Sequence, residues 1–272
     1  MREFPPVVGQ SELERRRHIP RRRFGQNFLV DPHYIARIVD AVDPKAGDHI
    51  VEIGPGLAAI SGDLIARAQH ITAIEIDRDL AAKLRAAYAP EQLTLHVADA
   101  LAFDFARLGE RLRIVGNLPY NISSPLLFHV AKFADRLIDL HVMLQREVVA
   151  RMTAEPATAD YGRLTVMLRA TFKVTRLFVI PPGAFRPAPK VDSAFVRLVP
   201  LGETKPAITD PALFARVVAA AFGQRRKTLR NALGSLCDEA TMRAVGIDPA
   251  ARGETFSVSD YVRLANALAL KR

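Results

Sequence analysis

Between residues 49 and 145 five short apolar runs alternate with helical patterns, and this rhythm limits the fold more than any other feature of the chain. His49–Ile53, Ile71–Ile76, Leu93–Ala98, Leu112–Gly116 and Ile138–Gln145 read as strands, while Ile60–Ala68, Arg78–Ala87 and Ser123–Phe133 read as helices. Such alternation predicts a parallel sheet covered by helices on both faces. Upstream, a helix is expected from Asp31 through Ile38 and Val42, with Pro32 in its first turn and an end near Pro44 and Gly47. Downstream, Arg146 to about Phe172 reads as mainly helical. Val174–Ile180 and Ser193–Val199 then supply two closely spaced strands, joined by the proline-rich segment Pro181–Lys190. An antiparallel hairpin closing a seven-stranded sheet is the expectation.

The texture changes after Leu201. Lys205–Pro211 reads as a linker, and the remainder reads as helices only, over about 211–222, 226–236, 239–245 and 257–269. The expected organisation is a flexible basic arm at 1–20, an α/β domain at 21–202 and a small all-helical domain at 203–272. Hydrophobic residues at 49% and charged residues at 25% are the balance of a globular chain, which excludes disorder as the main state. The single cysteine, Cys237, allows no intrachain disulfide and is read as a small buried residue in a helix. No apolar run approaches the roughly 20 residues of a membrane helix. The N-terminus lacks the apolar core of a signal peptide, and Glu3, Glu12 and Glu14 argue against a transit peptide. The reading is a cytoplasmic protein with no membrane association.

The formal charge of +9 is unevenly placed. Residues 1–28 hold seven arginines against three glutamates, a net of +4, and residues 203–272 hold eleven cations against seven acids, again +4. The long middle has twenty cations against nineteen acids. Basic flanks around a nearly neutral centre suit a polyanionic partner, nucleic acid before membrane. Solvated helix faces and a frayed tail are the plainer alternative.

The first strand of the alternation runs into Gly54-Pro55-Gly56-Leu57-Ala58-Ala59. A glycine turn there lets backbone approach a ligand at the mouth of the sheet, and it serves dinucleotides as well as methyl donors. A purely structural tight turn is the alternative. Glu75 ends the second strand, where a carboxylate can accept both hydroxyls of a ribose. Asp99 follows the third, where it can accept from an adenine amino group. Acids in both places favour S-adenosylmethionine; against this stands a surface aspartate of no consequence.

The fourth strand leads into Asn117-Leu118-Pro119-Tyr120. An exocyclic adenine amine is a poor nucleophile because its lone pair is delocalised into the ring. The Asn117 side-chain oxygen and the Leu118 carbonyl can accept its two hydrogens, favouring a pyramidal nitrogen whose lone pair points at a sulfonium methyl. Pro119 stiffens the turn, so these acceptors are pre-positioned. Tyr120 can stack on a flipped base. An ordinary loop before a helix is the alternative. In the proline-rich segment Phe185, flanked by Arg186 and Lys190, reads either as a base and phosphate clamp or as a hydrophobic plug.

Arg21-Arg22-Arg23-Phe24-Gly25-Gln26-Asn27-Phe28-Leu29, the Val51–Leu57 loop, Asn117–Tyr120 and Phe185–Ala194 occur in that order. Together they resemble the ribosomal RNA adenine N6,N6-dimethyltransferases, with the likeness strongest to the bacterial small-subunit members and running from Arg21 to the C-terminus. The resemblance implies a Rossmann-like class I methyltransferase fold using S-adenosylmethionine, releasing S-adenosylhomocysteine, with no metal. It implies that Asn27 and Leu29 close over the methyl donor, that Gly54, Gly56, Glu75, Asp99 and Asn117 line its site, and that Phe185 holds the target adenine against Tyr120. It further implies dimethylation of two adjacent adenines in small-subunit ribosomal RNA within an immature subunit, by a monomer. The generic motif has glycine where this chain has Ala58, which adds a methyl group at that point of the loop.

The basic ends complete the expectation. Arg225, Arg226, Lys227 and Arg230 form a run without acids, with Arg226 and Arg230 on one helical face, and Arg21, Arg22 and Arg23 offer a second clamp for RNA phosphates. Three rivals remain at this level: an NAD-dependent dehydrogenase, a ribosome-assembly factor that binds without catalysis, and an enzyme acting on large-subunit RNA.

Overall fold

The computed structural model describes residues 26–224 and 226–271. Its main sheet has seven strands in the order β4-β3-β2-β5-β6-β9-β7: β2 (His49–Ile53), β3 (Ile71–Glu75), β4 (Leu93–Val97), β5 (Leu112–Asn117), β6 (Leu137–Gln145), β7 (Phe172–Ile180) and β9 (Ser193–Pro200). β2 to β6 pair in parallel, and β9 runs antiparallel to β6. Every residue of β3 is buried, as expected of a strand covered on both faces. A second sheet, which no periodicity announces, joins β1 (Phe28–Leu29) to β8 (Phe185–Arg186).

The helices of this unit begin where capping chemistry allows. α1 (Pro32–Val42) has Asp31 at its N-cap, accepting from the His33 amide, and buries Ile38, Val39 and Val42. α2 (Ser61–Ala68) follows the glycine turn. α3 (Arg78–Ala87) is capped by Asp77, and α4 (Ser123–Ala131) follows the turn after β5. The chain builds β2, β3 and β4 toward one edge and then returns to place β5 on the other side of β2. Strand direction of travel thus reverses between β2 and β5, and a crevice opens there at the carboxyl ends of the strands. Gly116 lets the two strands close up: a β-carbon on it would lie 2.5 Å from the Ile53 carbonyl oxygen.

An ionic cluster around the buried Asp139 lies toward the amino-terminal ends of β5 and β6. Asp139 in β6 accepts from Nε and Nη2 of Arg113, at 3.1 and 3.0 Å, and from Arg197 at 3.2 Å. Burial alone would raise its pKa, but His141 and Arg113 hold it down at about 2. The cluster stitches β5, β6 and β9 together and lies away from the crevice.

The described residues divide into two compact units, 26–146 with 176–199, and 147–175 with those from 200 to 271. This corrects the expected contiguous domain at 21–202. Residues 147–175 hold most of α5 (Arg146–Thr153), all of α6 (Arg163–Arg169) and the start of β7. Ala154, Tyr161, Val166 and Ala170 share one core with α7 (Pro211–Gly223), α8 (Leu229–Leu233), α9 (Glu239–Ala244) and α10 (Val258–Ala269). Helical spacing reports that a segment has an apolar face but not which core that face will join. Tyr161 and Tyr261 bury their rings here and donate to the Phe256 and Gly253 carbonyls, at 2.8 and 2.7 Å. Ser257 and Asp260 form a reciprocal capping box that starts α10. Cys237 is buried as expected but follows a short 3₁₀ turn instead of lying in a helix.

Candidate active site

The crevice between β2 and β5 opens into a cavity of about 320 Å3. Asn27, Leu29, Gly54, Gly56, Glu75, Asp99, Asn117, Leu118, Pro119 and Tyr120, separated by up to 93 positions in sequence, all line it. They come from the strand ends of β2, β3, β4 and β5 and from the segment at β1, so the topology brings them to one place.

The glycine turn carries left-handed backbone. Gly54 has φ 68° and Gly56 φ 60°. Gly56 also lies under the Phe28 ring, where a β-carbon would approach within 3.1 Å. Ala58, at the position where the generic motif has glycine, takes φ 60° itself. An L-residue there costs about 1–2 kcal/mol. Ala58→Gly should therefore stabilise the protein by up to about 1 kcal/mol once the added freedom of the unfolded chain is subtracted. A urea midpoint that fails to rise would contradict this.

Glu75 is 4% exposed and is held by two amides: Gly56 donates to Oε2 at 3.1 Å and Asp77 to Oε1 at 2.9 Å. Burial raises its pKa, against the pull of these hydrogen bonds. The carboxylate is thus fixed at the end of β3. Asp99 is exposed at the rim, its Oδ1 accepting from the Leu101 amide at 2.9 Å. Ile76, 44% exposed, adds an apolar face between the two acids.

Glu52 also lines the cavity, and sequence reading passed over it. It is 2% exposed, and the Ser61 hydroxyl donates to it at 2.6 Å. Burial pushes its pKa up to about 7, partly offset by Ser61 and reinforced by the Glu75 charge. The available signal was an acid inside the otherwise apolar run Ile50-Val51-Glu52-Ile53. Because the folded protein holds this proton more tightly than the unfolded chain, stability should fall as pH rises from about 4.5 to about 7, by at most on the order of 3 kcal/mol. Urea titrations of Glu52→Gln across that window should show a shallower decline than the wild type, and parallel curves would count against it.

At the end of β5, Asn117 donates from Nδ2 to the Asn27 carbonyl at 2.8 Å. This commits the amide nitrogen and leaves Oδ1 as the acceptor end. The Leu118 amide donates to the Met143 carbonyl at 3.2 Å, tying the next peptide to β6. The Pro119 carbonyl accepts from the Ser123 hydroxyl at 3.0 Å. The turn is therefore held from three directions, with Tyr120 linked through its hydroxyl to Ser193 at 2.6 Å. Phe28 and Ser193, like Glu52, were not singled out by the sequence; both lie inside motifs whose other residues drew attention.

Phe185 requires a correction. It is 0% exposed and does not line the cavity. In the register of the small sheet it faces Leu29, and its ring packs in the core with Leu29, Ile180 and Phe195. The plug is what the structure contains, because β8 alternates and sends Arg186 outward instead. Arg186 donates to the Gly183 and Phe185 carbonyls, and Lys190 is exposed. Arg226 and Lys227 are exposed in a turn that precedes α8, so Arg226 and Arg230 share no helical face. Arg230 pairs with Glu239 at 3.1 Å. Arg21, Arg22, Arg23 and Arg225 lie outside the described residues, as does the expected arm at 1–20. Among the described residues no group of three or more His, Cys, Asp or Glu side chains is arranged to hold a metal ion, and no helix is long and apolar enough to cross a membrane.

Comparison with known proteins follows the same line. The family model for ribosomal RNA adenine dimethylase matches residues 17–270. A ribosomal RNA small subunit methyltransferase A from Aromatoleum aromaticum is 59% identical over 254 residues, covering 93% of this chain and 96% of its own. The protein of that name from Chromobacterium violaceum is 55% identical over 253 residues, covering 93% and 97%. Among solved structures, a dimethyladenosine transferase from Plasmodium falciparum shares the fold with a TM-score of 0.75 at 23% identity, covering 87% of this chain and 95% of that one. The 23S rRNA methyltransferase ErmE gives 0.64 at 26% identity, covering 89% and 100%.

Proposed function

The chain belongs to the ribosomal RNA adenine dimethylase family, and on that premise we propose that it uses S-adenosylmethionine to dimethylate N6 of two adjacent adenines in small-subunit ribosomal RNA. The observation that carries the chemistry is the Asn117 amide, which lines the cavity and is anchored through its nitrogen, leaving its oxygen as the acceptor. The cavity suits the methyl donor. Gly54 leaves room for close backbone approach, Glu75 offers a fixed carboxylate for vicinal hydroxyls, Asp99 offers an acceptor for an amino group, and Ile76 and Leu101 offer apolar faces. When bound, the donor supplies an electrophilic methyl on a positively charged sulfur.

The residues of this chain act on the other reactant. Asn117 Oδ1 and the Leu118 carbonyl accept the two amine hydrogens, which draws the nitrogen lone pair out of conjugation. Pro119 and the Ser123 hydroxyl hold the turn so that little reorganisation accompanies attack. Tyr120 stacks on the adenine. No strong base is assigned: the amine becomes acidic only after alkylation, and its proton leaves to water. RNA phosphates are gripped by exposed cations, among them Lys190, Arg226 and Lys227.

The test is tritiated methyl transfer to undermethylated small subunits with the modified bases mapped. Label in two neighbouring N6,N6-dimethyladenines of the small-subunit RNA is the expected result. Label only in large-subunit RNA, or tight subunit binding with no transfer, overturns the proposal.

A further inference from the structure

We infer that Ser193 is a positioning residue for methyl transfer, its buried hydroxyl setting the plane of the Tyr120 ring that receives the target adenine. The inference rests on the functional reading above. Its starting point is topology. β9 runs antiparallel to β6, so its first residue lies at the end of the sheet where β2 to β6 finish, the same end at which the crevice opens. That residue is Ser193, in register with Gln145, the last residue of β6. It is fully buried, and its Oγ lies 2.6 Å from the Tyr120 hydroxyl oxygen.

The chemistry of a phenol gives this contact a consequence. A phenolic O–H lies in the plane of its ring, because the oxygen lone pair is conjugated. A hydrogen bond to a partner that cannot move therefore restrains rotation of the ring about its long axis as well as the position of the oxygen. Ser193 is held in place: it is a fully buried strand residue, and the Asp192 carbonyl before it accepts from the Arg146 amide at 2.9 Å. Face-to-face stacking depends on the ring plane, whereas the hydrophobic contribution of Tyr120 does not. Loss of the Ser193 hydroxyl should thus spare the cofactor cavity and slow the step that needs an aligned base. The same strand start also terminates the proline-rich segment carrying Arg186 and Lys190, so the loop proposed to meet RNA ends at the residue that orients the stacking ring.

The experiment compares Ser193→Ala, Tyr120→Phe, the double variant and Ser193→Thr by single-turnover methyl transfer to small subunits, and by calorimetric affinity for S-adenosylhomocysteine. Each of the first two should slow transfer by roughly tenfold, the scale of one lost hydrogen bond, with cofactor affinity unchanged. The double variant should be no slower than the slower single one, and Ser193→Thr should recover the wild-type rate. The ζ-carbon resonance of Tyr120 in 13C-tyrosine-labelled protein, assigned by its absence in Tyr120→Phe, should move in Ser193→Ala and return in Ser193→Thr without any need for turnover. Multiplicative losses in the double variant, or a Tyr120 resonance indifferent to Ser193→Ala, overturn the inference. A wild type that methylates no small-subunit RNA overturns the functional reading instead, and the resonance still reports on the Ser193–Tyr120 link.

Discussion

Asn117→Ala lowers the single-turnover rate of methyl transfer by about 10²–10³-fold, the usual cost of removing one pre-positioned polar group at the reacting centre. The size follows from how the side chain is held. Its nitrogen is already spent on the Asn27 carbonyl, so its oxygen needs no reorganisation to accept an amine hydrogen. Alanine removes that acceptor and also frees the segment before β1, which should weaken binding of S-adenosylhomocysteine by a few-fold, roughly one ordinary hydrogen bond. Single-turnover kinetics beside calorimetry separates the two effects. A loss of cofactor affinity as large as the loss of rate would show that Asn117 serves the cavity and not the amine. Asn117→Asp is the informative companion. It keeps an acceptor but loses the donor to Asn27, so it should fall between alanine and wild type.

Phe185→Ala destabilises the protein by about 3–5 kcal/mol, as expected when a fully buried phenylalanine is truncated. The ring fills the core between the small β1–β8 sheet and the main sheet, beside Leu29, Ile180 and Phe195. Removing it opens a cavity under β1, the strand that brings Asn27 and Leu29 to the crevice. Urea denaturation measures the effect directly. Phe185→Leu, which keeps most of the volume, should recover the greater part of the loss and of the activity. A residue serving as a base clamp behaves in the opposite way, with stability intact, turnover lost and no recovery by leucine. That pattern would return Phe185 to the role the family resemblance implies.

The two residues show why parts of the molecule were legible and others were not. Helix α3 falls on Arg78–Ala87, as expected from spacing alone, because a long amphipathic segment after a strand has one solution. The crevice was foreshadowed by Gly54, Glu75 and Asn117, since each follows a strand and parallel strands all end on one side. Phe185 was ambiguous because β8 is two residues long and has no period to say which side chain faces in. Glu52 was overlooked because a single acid in an apolar run breaks the pattern that defines the strand. Ser193 drew no notice because a serine at a strand start is ordinary until β9 is seen to run against its neighbour. The expected helix over 226–236 was shortened to Leu229–Leu233 because Thr228 makes an isolated bridge with Arg252, which holds the preceding turn out of helical geometry.

The division of the chain into interleaved units has a consequence for the order of events during synthesis. The sheet is complete once β9 has left the ribosome, before α7 through α10 are made. The helices at 147–169 emerge before β9, yet Tyr161, Val166 and Ala170 share their core with α7 through α10, which are translated after it. Those apolar side chains wait, exposed, until α7 through α10 have been made. A ribosome stalled near residue 202 would present a finished sheet and a sticky, half-built helical unit together. An enzyme proposed to mature the ribosome would thus itself depend on a ribosome that has translated as far as α10 before its second core can close.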